Sequence, residues 1–253
     1  MASTVKRTAE ASMIIEEISS SEFLAGLQKT RTVLIPLGAT EGHGQHLPLG
    51  TDTFQAEDVC RLLAQRRDLF VAPSLPYGVC RSTEQHPGTL GIRTETLKQL
   101  VLDVVESLYR QGLRCFLILS GHAGGTHNAI LIDAGEQVLK TYADVRIAVV
   151  TEYQLAYAES QGIIETTADS HAGEIETSRM LATRPQLVKS GFGAPDAPNF
   201  PKHILVRNKP LYWSSGIWGN PGKASREKGE RIQEAVVNAL DRLVTELENF
   251  REE

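Results

Sequence analysis

A chain of 253 residues, 41% of them hydrophobic, is long enough for one α/β domain or two small ones with a real core. Its net charge of −5, with Lys and Arg scattered rather than clustered, excludes the basic footprint of a nucleic-acid binder. Three widely spaced cysteines (Cys60, Cys80 and Cys115) exclude a disulfide scaffold and predict a reducing, cytoplasmic setting.

Residues 1–11 read as a flexible tail ahead of a single domain over 12–253. The N-terminal stretch lacks the apolar core of a secretory signal, and no apolar run is long enough to cross a bilayer. The first buried strand is expected over Thr32–Gly38. A helix follows from Asp52 to about Arg66, opening on Thr51-Asp52. Leu69–Leu75 reads as a strand and Thr94–Gln111 as an amphipathic helix stopped by Gly112. Cys115–Gly121 is a third strand, Gly125 to about Tyr142 a helix, and Arg146–Glu152 a fourth strand. Helices close the chain at about Ala172–Thr183 and Ser225–Phe250. Between them, the Gly- and Pro-rich stretch 191–222 is expected to be a lid or a set of short strands making oligomer contacts. The strand–helix rhythm predicts a three-layer α/β/α sandwich around a mostly parallel sheet.

In such sheets ligands bind beyond the carboxyl ends of the strands. The polar residues gather there: Glu41, His43, His46 and Asp52 after the first strand, and His122 and His127 after the third. Asp169, His171, Glu174 and Glu176 follow the fourth. Imidazole mixed with carboxylate suits Zn²⁺, Mn²⁺ or Fe²⁺, and with no thiolate ligand evident an open catalytic site is expected rather than a closed structural one. Each residue has a plainer role: Asp52 as a helix cap, Glu174 and Glu176 as first-turn acids, His122 as a hydrogen-bonded strand-end histidine. Their coincidence in three separate segments is what favours a metal hydrolase.

The segment L-G-A-T-E-G-H-G-Q-H-L-P-L-G-T-D resembles the signature of the creatininase (creatinine amidohydrolase) family. So do P-Y-G-V-C-R-S-T-E-Q-H-P-G-T-L, S-G-H-A-G-G and H-A-G-E-I-E-T-S, in the family's order from Gly38 to Ser178. The resemblance implies a parallel sheet between helices, a homohexamer, and two divalent metal ions per subunit. Glu41, Asp52 and His122 would hold one ion and His43, Asp52 and Glu176 the other, with His171 as proton shuttle. It thereby selects Glu176 over Glu174, a choice the residues alone leave open. Glu84, His86 and the backbone of Ala123, Gly124 and Gly125 are candidates for substrate binding.

Two departures from the resemblance bear on substrate. Gly124 stands where creatininase proper has a glutamate, so the first metal is expected to be coordinated differently, with His127 or water as substitutes. The chain also has no tryptophan before Trp213, which points away from creatinine itself. The expected activity is hydrolysis of a C–N bond in a small, cyclic amide. The alternatives within the resemblance are formamide deformylation of a purine-like nucleotide, peptide trimming, and lactone hydrolysis. A phosphate-bearing substrate would draw on Arg81, Arg93 or Lys202. Outside the enzyme class stand a nucleotide-binding module, disfavoured by the missing G-x-x-x-x-G-K-[ST] pattern, and a non-catalytic assembly protein.

Overall fold

The computed structural model describes residues 12–251. The expected tail over 1–11 lies outside the described residues. Five parallel strands form one sheet: β1 (Met13–Ile14), β2 (Thr32–Leu37), β3 (Phe70–Val71), β4 (Cys115–Ser120) and β5 (Arg146–Thr151), in the order β1-β3-β2-β4-β5. Among the described residues, seven α-helices flank it: α1 (Ser20–Gly26), α2 (Thr51–Ala64), α3 (Thr94–Arg110), α4 (Gly125–Thr141), α5 (Glu152–Glu159), α6 (Glu174–Thr183) and α7 (Arg226–Asn249).

The central strands are buried along their whole length, as unbroken apolar runs in a parallel sheet require. Side chains alternate between two cores. Leu34, Leu117 and Leu119 pack with Val59 and Leu63 of α2 and Ile232, Val236 and Leu240 of α7. Val33, Ile35, Phe116 and Ile118 pack with Leu97 and Val101 of α3 and Leu131 and Ala134 of α4. Burial of each such side chain contributes roughly 1.5–3 kcal/mol. The three-layer α/β/α sandwich is therefore present, with a fully parallel sheet.

Several details differ from the expectation. Helix α1 was not anticipated, although Ser19 and Glu22 form a capping box at its start. Helix α5 begins at Glu152, where the fourth strand was expected to end. The strand expected over 69–75 keeps a ladder only at Phe70–Val71. Pro73 has no N–H to donate, and the chain rejoins the sheet through a single bridge from Leu75 to Leu37. Residues 191–222 form no strand ladder. Two single turns, Lys209–Leu211 and Pro221–Lys223, and two isolated bridges, His171–Trp218 and Asp196–Gly219, organise them.

The chain runs from β2 outward to β3, then crosses back to place β4 on the other side of β2. This reversal leaves a crevice beyond the carboxyl ends of β2 and β4, which pair in register from Thr32–Cys115 to Leu37–Ser120.

Candidate metal centre

The crevice is filled by the first turn of α2. A Cβ on Gly38, at the end of β2, would lie 2.3 Å from the Thr53 nitrogen. One on Gly121, at the end of β4, would lie 2.0 Å from the Asp52 carbonyl oxygen. Only glycine permits this approach, and it sets Asp52 directly over the two strand ends. The loop after β2 brings Glu41 and His43 to one side, and the residue after Gly121 brings His122 to the other.

The Asp52 carboxylate faces both ways. Its Oδ1 lies 2.9 Å from His43 Nε2, and its Oδ2 lies 3.1 Å from His122 Nδ1. Glu41 Oε1 is 2.7 Å from that same His122 nitrogen, and Glu176 Oε2 is 3.7 Å from His43 Nε2. Glu41, His43, Asp52, His122 and Glu176 are all buried. Spacings of about 3 Å between donor atoms are the edges expected around an ion with bonds of about 2.0–2.2 Å.

The imidazoles are oriented for ligation. His43 Nδ1–H donates to the Glu41 carbonyl at 3.0 Å, and His122 Nε2–H donates to the Val79 carbonyl at 3.2 Å. A carbonyl only accepts, so each ring must carry its proton there. The opposite nitrogen is left to face the carboxylates. Among the described residues, the partners of the Glu41, Asp52 and Glu176 carboxylates are imidazoles, the Thr83 hydroxyl, the Cys80 thiol and the Ala172 N–H. Three buried carboxylates without a Lys or Arg partner suit divalent cations.

The family model for creatininase, described as creatinine amidohydrolase, matches residues 16–244. The chain belongs to the creatininase family. It is accordingly a hydrolase of the amidohydrolase type. It is 32% identical to the mycofactocin precursor peptide peptidase of Mycolicibacterium smegmatis, over 81% of each chain. It is 27% identical to the creatinine amidohydrolase of Pseudomonas putida, over 90% of this chain and 95% of that one. A solved manganese creatininase superposes with a TM-score of 0.85 at 26% identity, covering 94% of this chain and 99% of that one. A Zn–Zn mutant creatininase superposes at 0.83 and 25% identity, over 94% and 99%.

In this creatininase-family centre the metal-free charges pair internally. Burial disfavours the His43 imidazolium, but Asp52 and Glu176 outweigh it and raise its pKa to about 10. His122 is raised in the same way by Glu41 and Asp52. Burial would push the Asp52 carboxyl up, yet the two imidazoles hold it well below its usual range. Glu176 is raised to about 8, chiefly by burial. Metal binding would therefore displace protons.

Helix α6 delivers Glu176 and turns Glu174 away. Glu174 accepts the N–H groups of Glu165 and Thr166 and pairs with Lys228 at 2.6 Å. Asp169 anchors the start of α6 by accepting the N–H groups of Glu174 and Ile175. The entry is strained: Ala172 has φ +49°, in the left-handed region, and its N–H donates to Glu176 Oε2. This bend places His171 beside the centre. Its ring lies 4.1 Å from that of His43, and one ring nitrogen is within 4.8 Å of ligand atoms of Glu41 and His43. His171 Nε2–H donates to the Gly42 carbonyl at 2.8 Å, which leaves Nδ1 as the acceptor. Burial and the charged His43 lower its pKa to about 4.

The other expected residues are scattered. His86 Nε2–H donates to the Trp213 carbonyl, and the Trp213 ring also packs edge-on to His171 at 5.3 Å. Glu84 is exposed and pairs with Lys209 at 2.6 Å. Ala123 and Gly125 are exposed, and Gly124 precedes α4 without a side-chain cap. Arg81, Arg93 and Lys202 are exposed as well. His127 stands edge-on to His122 at 4.9 Å, and its Nδ1 already accepts the Val79 N–H at 3.2 Å. No sulfur ligand is evident along the chain, but the fold places the Cys80 thiol here. Cys80, Glu41 and His122 each offer a donor atom within 4.8 Å of the others. Only the cysteine's place in a strand-exit loop hinted at this.

Proposed function

We propose that the protein is a dinuclear metal-dependent amidohydrolase that cleaves a C–N bond in a small amide. The observation that carries the reading is the two-sided Asp52 carboxylate, with one imidazole facing each of its oxygens and one further carboxylate beside each imidazole. Glu41, Asp52 and His122 would hold one ion and His43, Asp52 and Glu176 the other. Two divalent ions there, Zn²⁺, Mn²⁺ or Fe²⁺, would supply Lewis acidity and a water acidified toward neutrality. His171, with Nε2–H fixed on Gly42, keeps Nδ1 free to take a proton and return it to the leaving nitrogen. The uncapped N–H groups of Gly124 and Gly125 at the start of α4 offer donors for developing negative charge on the substrate oxygen. Trp213 lies over His171 and His86 and closes one wall, which helps exclude water.

A peptide substrate is the second reading, favoured by the 32% identity to a precursor-peptide peptidase. The catalytic domain spans 12–253 in this reading, and the three free, buried thiols suit the cytoplasm. Among the described residues, no helix is long and apolar enough to cross a membrane. We expect a homohexamer. Ile204, Leu205 and Leu211, exposed on the 191–222 segment, are suited to subunit contact, and light scattering reads the subunit number.

The test is elemental analysis beside a panel of cyclic amides, formamides and short peptides. The parent should hold about two ions per chain. Asp52→Ala should lose both ions and all measurable turnover while keeping its helical circular dichroism. An Asp52→Ala protein with full metal and turnover would sink the bridging role, and the substrate turned over separates amide from peptide.

A further inference from the structure

We propose that Cys80 is a thiolate ligand of the ion held between Glu41 and His122, making that position softer than its partner and selective for zinc. The inference rests on the dinuclear reading above and concerns which donors this chain supplies.

Geometry carries it. Cys80 Sγ, a Glu41 carboxylate oxygen and a His122 ring nitrogen all lie within 4.8 Å of one another, and all three side chains are buried. The thiol's recorded hydrogen bond, to the Gly78 carbonyl at 3.8 Å, is long even for sulfur, and that carbonyl already accepts the Ile92 N–H at 2.9 Å. Cys80 is therefore aimed at the ligand cluster, where its thiol also hydrogen-bonds the Glu41 carboxylate.

The loop that presents it also sets its neighbours. Val79, immediately before it, receives the His122 Nε2–H on its carbonyl and donates its own N–H to His127. Thr83, three residues on, donates its hydroxyl to Glu41 Oε2, which leaves Oε1 for His122. One short loop thus fixes the tautomer of His122, the rotation of Glu41 and the position of the thiol.

Coordination chemistry supplies the consequence. Glu41, Asp52 and His122 give three donors, and Gly124, two residues past His122, has no side chain to add a fourth. A Cβ at Gly124 would lie 2.4 Å from His122 Nε2. Cys80 adds sulfur to Glu41 and His122, a close-set group of the mixed sulfur, nitrogen and oxygen kind that zinc accepts. On binding, the thiol gives up its proton to solvent and the sulfur lone pair goes to the ion. Thiolate favours zinc over manganese, whereas the His43–Asp52–Glu176 position offers only nitrogen and oxygen.

Cobalt(II) is the probe, because thiolate ligation adds a sulfur-to-cobalt charge-transfer band in the near ultraviolet to the visible ligand-field bands. The other thiols cannot contribute: Cys60 lies in the apolar core with Val59 and Leu63, and Cys115 opens β4 at the end of the strand away from the centre. The cobalt-loaded parent should show the charge-transfer band. Cys80→Ser should lose it while keeping ligand-field bands. Its zinc affinity at one position should fall by more than the roughly 10–100-fold that supporting groups contribute. The parent alone also decides the matter if the variant fails to fold. Ligand-field bands without charge transfer in the parent overturn the thiolate and leave the metal centre standing. Absence of any bound cobalt overturns both.

Discussion

Two buried polar clusters share helices α2 and α6, three residues apart on each, and they differ in what neutralises them. Asp52 and Glu176 face the imidazoles of the candidate metal centre. One turn further along, Gln55 and Arg179 belong to a second cluster. There Arg179, fully buried, donates to Glu152 Oε2 at 2.9 Å, to Gln55 Oε1 at 2.7 Å and to Gln233 Oε1 at 3.0 Å. Gln55 in turn donates to the Glu176 carbonyl at 3.3 Å, so the second cluster braces the helix that carries Glu176. Glu152 has a permanent cation and needs nothing from outside. Glu41, Asp52 and Glu176 have only imidazoles as cationic partners, and these would give up their protons to bind metal. Burial and charge are common to both clusters. The missing permanent cation is what favours one of them as a candidate binding site.

The comparison makes separable predictions. His171→Asn should lower kcat by about 10²–10⁴-fold, the range of a lost acid–base group, with metal content and melting temperature unchanged. Metal loss in that variant would instead make His171 a ligand. Arg179→Met should act on stability. Removing one partner of a buried pair costs about 3–5 kcal/mol, or a drop of roughly 6–20 °C in Tm for a domain of this size. An unchanged Tm would erase the distinction between the clusters.

The smallest effect is one of pH. His43 has its pKa raised from 6.5 to about 10 in the metal-free fold, so its stabilisation is complete below 6.5 and is lost as pH rises through 10. Glu176, raised from 4.5 to about 8, holds its proton more tightly folded than unfolded and acts in the same direction between those values. Asp52 is depressed and acts oppositely, losing its contribution as pH falls through its low folded value. Thermal melts in chelator should therefore show Tm falling from pH 6.5 to 10. Metal-loaded protein should resist that fall, because deprotonation favours the ligands. A flat chelated profile would mean the imidazoles are not charged in the metal-free site.

Much of this was legible along the chain. The buried runs of β2 and β4, the helix start at Thr51-Asp52 and the amphipathic spacing of α3 and α7 are local patterns, and local patterns survive into the fold. The segments that meet in the candidate centre were also visible, because strand exits rich in His, Asp and Glu announce themselves. Helix α5 was not visible. It continues directly from β5 with no stop signal between them and has no clear apolar face.

The sequence by itself determined the layers, the parallel rhythm of the sheet and the strand ends at which chemistry would gather, because neighbouring residues set periodicity and caps. Only the tertiary structure decided which side chains meet. From the residues alone, Glu174 and Glu176 are equal first-turn acids. Packing against Lys228 and the 165–166 loop takes one away, and the strained turn at Ala172 presents the other. Cys80 lies 39 positions from Glu41 and 42 from His122 in the numbering, and no pattern within a strand or a helix spans that distance. Side chains so far apart are brought together by the stacking of strand ends, helix starts and loops, which is a property of the whole fold.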